Sequence, residues 1–139
     1  MLQPRPTQPL TVVEQQDAII ACCDSIINAL QSAGEVDLAP LRMRLAGLLH
    51  ANLTSEETEI FGPLRKLAPA SRPRNFAAIC DEAASLRARY SQHIQMWSAA
   101  SIAADSAAYG HAVRVLVEQV KAHLGAKRAA LPEWRRHLR

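Results

Sequence analysis

Apolar positions recur along this chain at intervals of three and four, the period of a helix with one buried face, and no alternating stretch competes with them. Four blocks carry the pattern. The first stripe is Val12, Val13, Ile19, Ile20, Cys23, Ile26, Ile27 and Leu30. Thr11 stands three residues before Glu14, the spacing of a capping box, so a helix starts there and runs to about Ala33, with Gly34 as its C-cap. The second stripe is Leu41, Leu45, Leu48, Leu49, Leu53 and Ile60. Asp37 caps it, Pro40 is tolerated in its first turn, and Gly62-Pro63 should end or kink it. LAPASRPRN (67–75) is a linker from which Ser71 or Asn75 caps a third helix through Ile79, Ala83, Leu86, Tyr90, Ile94 and Trp97. After a hairpin connection around 101–104, Asp105 caps a fourth helix through Ala112, Val113, Leu116, Val120 and Leu124 to about Ala130, where Pro132 stops it.

Four helices of about 20–25 residues with short loops predict an all-α fold, an up-down-up-down antiparallel four-helix bundle. Residues 1–10, with three prolines, read as a flexible tail, 11–132 as the bundle, and 133–139 as a short basic C-terminal tail.

Composition adds little to this. The chain has 139 residues, enough for one domain with a real core, and 49% are apolar but only 4% aromatic, so alanine and leucine do most of the packing. The net charge of +3 comes from interspersed charges of both signs. Three cysteines, Cys22, Cys23 and Cys80, make no paired framework and favour a reduced, cytoplasmic chain. MLQPRPTQPL lacks the apolar run of a signal peptide, and no stretch is apolar for long enough to span a membrane.

The second and fourth helices echo each other. Under LHANLTSEETEIF (49–61), VKAHLGAKRAALP (120–132) places His123 over Asn52, Lys127 over Glu56, Arg128 over Glu57 and Leu131 over Ile60, an offset of 71. A weaker echo, VVEQQDAI over ICDEAASL, places Gln16 over Ala83.

On these motifs, most of all EETEIFGPL and VKAHLGAKRAALP, the chain resembles the hemerythrin-like (HHE cation-binding) bundles over residues 12–132. The resemblance implies histidine and carboxylate ligands from all four helices meeting around a di-iron centre that binds or senses oxygen. This sequence departs from that pattern at most ligand positions. Gln16, Asn52 and Ala83 replace histidines, Arg87 lies four residues beyond Ala83, and Lys127 occupies a carboxylate position. Glu56 and His123 remain as metal ligands, whereas a bridged iron pair needs about five. The di-iron site is therefore expected to be lost, with no cofactor in its place.

Gln16, Asn52, Glu56, Ala83, His123 and Lys127 would then form a vestigial network. In it Lys127 substitutes for the cation and pairs with Glu56, while Gln16, Asn52 and His123 complete the hydrogen bonds. The opposing expectation is that Lys127 and Glu56 extend to solvent on separate faces.

A shifted iron or zinc site is the alternative. His50 lies about 200° around the helix from Asn52 and cannot take its place, but it could join Thr54 or Glu57. His93 and His111 stand level if the last two helices form a hairpin, and Cys22 or Cys23 could join them. His111 falls off the apolar stripe, however. Cys22 and Cys23 are adjacent, so at most one faces inward, and Asp24 discourages a reactive thiolate. Tyr90 and Trp97, seven apart, would line a small apolar pocket or pack as plain core.

Lys127, Arg128, Arg135, Arg136 and Arg139, with Trp134, form a basic end, but no nucleic-acid motif accompanies it. No nucleophile–base pair, phosphate loop or paired carboxylate set argues for an enzyme. Three readings follow: a non-catalytic binding or regulatory module whose partner is a protein or small molecule; an oxygen- or redox-sensing metalloprotein with an incomplete or shifted site; and a structural helical module forming a homodimer through Trp97, Tyr90, Ile94 and Ile102.

Overall fold

The computed structural model describes residues 10–32 and 37–139, and every regular element among them is helical. In chain order these are α1 (Val12–Gln31), α2 (Ala39–Glu56), a π-helical turn (Glu57–Phe61), α3 (Gly62–Arg65), a 3-10 turn (Pro69–Ser71), α4 (Phe76–Met96), α5 (Ala99–Ala104) and α6 (Ser106–His137). No helix among the described residues is long and apolar enough to cross a membrane. The expected C-cap at Ala33–Gly34 and residues 1–9 of the expected tail lie outside the described residues.

The capping signals at Thr11 and Asp105 act where the sequence places them, whereas Asn75 stands at the N-cap of α4 without a side-chain cap bond. Thr11 Oγ1 accepts the Glu14 N–H at 3.1 Å, and Glu14 Oε1 accepts the Thr11 N–H at 3.0 Å, closing the capping box. Asp37 Oδ1 accepts from Ala39 N at 3.0 Å, but Leu38, not Asp37, takes the N-cap position of α2. Asp105 Oδ1 accepts from Ala108 N at 3.1 Å and opens α6.

Gly62-Pro63 does not end the second helix. Pro63 lacks the N–H that the regular ladder needs, so the backbone widens into the π-helical turn, Gly62 N–H reaches back to Glu57 O, and the helix continues to Arg65. A Cβ at residue 62 would stand 2.7 Å from the Glu57 carbonyl oxygen, so the widened turn requires glycine.

Two other boundaries differ from expectation. The connection around 101–104 is the short helix α5, because Ser98 Oγ accepts from Ser101 N and caps it. Among the described residues α5 is thus a separate six-residue helix beside the four long ones. Pro132 does not stop α6, and 133–139 is not a separate tail, since the helix runs on to His137. Beyond the proline, Trp134 is fully buried, its ring 5.7 Å from that of Phe61 and 5.6 Å from that of Phe76. Its Nε1 donates to Asn75 Oδ1 at 2.8 Å. Burying an indole is worth roughly 4–6 kcal/mol, more than the about 3 kcal/mol that an internal proline costs.

Side-chain pairs fix the directions of the long helices. Gln15 meets Ser55 and Cys22 meets Leu41, so α1 and α2 run antiparallel. Arg128 meets Asp17 and Lys121 meets Asp24, so α1 and α6 do too. His123 meets Glu82 and Trp134 meets Asn75, so α4 and α6 follow suit.

Among the described residues the core has two apolar clusters. One gathers Ile19, Cys23, Ile26, Leu45, Tyr109 and Val113 with their neighbours. The other gathers Val12, Ile60, Phe61, Leu64, Phe76 and Trp134. On each long helix the residues between the clusters include those of the expected vestigial network: Gln16 on α1, Asn52 and Glu56 on α2, Ala83 on α4, and His123 and Lys127 on α6.

Candidate functional site

All six of these residues are buried, from Gln16 at 0% to Ala83 at 8% relative exposure. Lys127 Nζ donates to both carboxylate oxygens of Glu56, at 2.6 and 2.8 Å. With Lys127 at 7% and Glu56 at 2%, neither side chain escapes to solvent. A carboxylate and an ammonium taken out of water are tolerable only when they compensate each other this closely.

The surrounding hydrogen bonds differ from the expected closed network. Asn52 Nδ2 donates to Gln15 Oε1 at 3.1 Å, and Gln15 Nε2 donates to Ser55 Oγ at 2.9 Å. Gln16 Oε1 accepts from Arg128 Nε at 3.4 Å, and Arg128 also pairs with Asp17 at 2.7 Å. His123 Nδ1 lies 2.9 Å from Glu82 Oε1. Gln16, Asn52 and His123 therefore turn to partners at the helix seams rather than to the Glu56–Lys127 pair. Gln15, Ser55 and Glu82 are the partners that the sequence reading does not anticipate. Each is one residue away from, or one turn along from, a residue it does name, and its role depends on helix rotation.

Burial and the nearby Lys127 ammonium hold the His123 imidazole below its ordinary pKa, against the opposing pull of Glu82. The neutral ring donates from Nδ1 to the Glu82 carboxylate, which can only accept. Its Nε2 is then a lone-pair acceptor, and it is buried without a partner, as is Tyr90 Oη.

Both residues line a cavity of about 340 Å³ between α2, α4 and α6. Glu56, Lys127 and Asn52 form part of its wall. The remainder is largely apolar, chiefly Leu49, Leu53, Phe61, Leu86, Val120 and Leu124.

A di-iron centre does not fit these residues. Ala83 has no donor atom, Gln16 and Asn52 offer amides in place of imidazoles, and both Glu56 oxygens are occupied by an ammonium that would repel a cation. Among the described residues no group of three or more His, Cys, Asp and Glu side chains could hold a metal.

The structure does not assemble the shifted site either. His50 and His111 are exposed, Glu57 pairs with Arg65, and His93 stacks on Tyr109 with ring centroids 5.7 Å apart. Burial lowers the pKa of His93, with the Arg42 guanidinium adding to the effect.

Cys22 and Cys23 are both buried, not one of them, because Cys22 turns towards α2, where its Sγ meets Leu41 O at 3.5 Å, while Cys23 enters the core. Burial raises both thiols, Cys23 to about 11, which removes nucleophilic character at neutral pH. Cys80 is raised as well, by partial burial.

The basic end is dispersed: Lys127 is buried, Arg128 pairs with Asp17, and Trp134 is core. Of the four residues considered for a dimer face, Tyr90, Trp97 and Ile102 pack against the larger cluster, and Ile94 is 40% exposed. Compared with known families, curated proteins and solved structures, the chain matches none.

Proposed function

We propose that this chain is a non-catalytic, hemerythrin-like up-down-up-down four-helix bundle that works as a binding module, with a buried ion pair standing where the family holds its metals. The observation that carries this reading is Lys127 Nζ bonded to both oxygens of Glu56 inside the core. A resident cation in such a bundle neutralises inward-facing carboxylates and ties the helices together. An ammonium fixed to α6 does both for the carboxylate of α2, and it sets a positive charge against both oxygens that a metal would need. The antiparallel neighbours and the polar layer shared by α1, α2, α4 and α6 support the bundle assignment.

Anaerobic reconstitution with ferrous iron, followed by desalting and metal analysis, tests the reading. The expected result is no stoichiometric iron and an unchanged melting temperature. Two irons per chain, giving an oxo-bridge absorption band once air is admitted to oxidise them, would overturn it.

A further inference from the structure

The cavity between α2, α4 and α6 has the makings of a ligand site. Two of the residues that line it, His123 and Tyr90, each carry a buried polar atom without a partner, Nε2 and Oη. Buried polar atoms are nearly always paired, and each orphan costs on the order of 1–3 kcal/mol. An orphan acceptor on a cavity wall is therefore a place where a donor gains more than it would on an open surface.

Entry is through the seam between α2 and α4. That seam is tied at one end by Arg42 Nη2 donating to Trp97 O and at the other by the Phe61–Phe76 contact. Between those ties the cavity is edged by exposed Ala46 and His50 on α2 and by exposed Arg87 and Ser91 on α4.

We propose that this cavity binds a neutral, mainly apolar molecule of fused-bicyclic size that carries one hydrogen-bond donor, received by His123 Nε2. Size follows from volume: an apolar cavity of about 150 Å³ accommodates benzene, and this one is about twice that. Apolar character follows from the leucine, valine and phenylalanine wall. Neutrality follows from Glu56 and Lys127, which cancel each other and leave no buried charge for an ionic ligand to offset. The donor follows from His123, whose Nδ1 proton is committed to Glu82 and whose Nε2 can only accept. This inference rests on the binding-module reading and names the class of ligand.

The test compares indole with benzofuran, which has the same shape but no N–H, by titration calorimetry on the full chain. The expected result is that indole binds at least about tenfold more tightly, that His123→Leu closes the gap, and that Ala46→Trp at the exposed rim weakens both. Indole should also move the Nε2 resonance of His123 in ¹⁵N-histidine-labelled protein. Equal binding of indole and benzofuran would overturn the donor-bearing class and leave the binding-module reading standing. Tighter binding of indole-3-carboxylate than of indole would overturn neutrality. Saturable binding of neither bicycle up to millimolar concentration would overturn the cavity as a ligand site. Iron uptake, measured separately, is the result that removes the underlying reading.

Discussion

Lys127 and Glu56 lie 71 residues apart, occupy equivalent places in the two similar stretches of the sequence, and bond to each other across the core at 2.6 and 2.8 Å. Removing one member of such a pair strands the other charge. Lys127→Met should lower the unfolding free energy by about 3–5 kcal/mol in urea denaturation. The double variant Lys127→Met with Glu56→Leu should recover most of that loss, because an apolar pair of similar volume needs no compensation. A single variant as stable as the parent would show that the pair is not buried in solution.

Acid should weaken the fold through two histidines. His93 and His123 both have lowered pKa values in the folded state, chiefly from burial. The unfolded chain, titrating near about 6.5, takes up protons that the folded chain refuses. Their neutral state therefore gives full stability above about pH 6.5, and stability falls as the pH drops below that value. His123→Gln should flatten the slope of unfolding free energy between pH 6.5 and 5 in denaturant titrations, and an unaltered slope would remove His123 as a contributor.

Trp134 should behave as a core residue. Trp134→Ala should cost about 3–5 kcal/mol, and Asn75→Ala, which leaves the indole N–H without its partner, about 1–3 kcal/mol. If 133–139 were a loose tail, both would lie within about 0.5 kcal/mol of the parent in thermal or urea melts.

Gly62→Ala runs against helix propensity. In an ordinary helix interior the change gains up to about 1 kcal/mol. Here the new methyl meets the Glu57 carbonyl oxygen at 2.7 Å, so the melting temperature should fall rather than rise. A rise would mean that the widened turn can close to a regular one.

The periodic features were legible. The Thr11–Glu14 box, the Asp105 cap and the apolar stripes are local signals, and the structure places helices on them. The alignment of helix stretches was legible too, since it pairs Asn52 with His123, Glu56 with Lys127 and Ile60 with Leu131, and all six are buried. What was not legible depends on exchange between local cost and distant gain. Pro132 reads as a stop because the sequence shows the lost N–H but not the cavity between Phe61 and Phe76 that receives Trp134. Likewise Asn52 and His123 carry the expected polarity, but small helix rotations decided that their partners would be Gln15 and Glu82.

The polar layer also sets the vertical alignment of the helices. Leucine and valine tolerate sliding, because one apolar neighbour resembles the next. If α6 slipped by one turn, about 5.4 Å, Lys127 would arrive at the level of Leu131, in the apolar cluster of Phe61 and Phe76, and Glu56 would face an apolar residue alone. Two stranded charges make that displaced packing a high-energy state. A core drawn from few aromatics and many interchangeable aliphatics thus acquires a single axial setting, locked at one height by one cation and one anion.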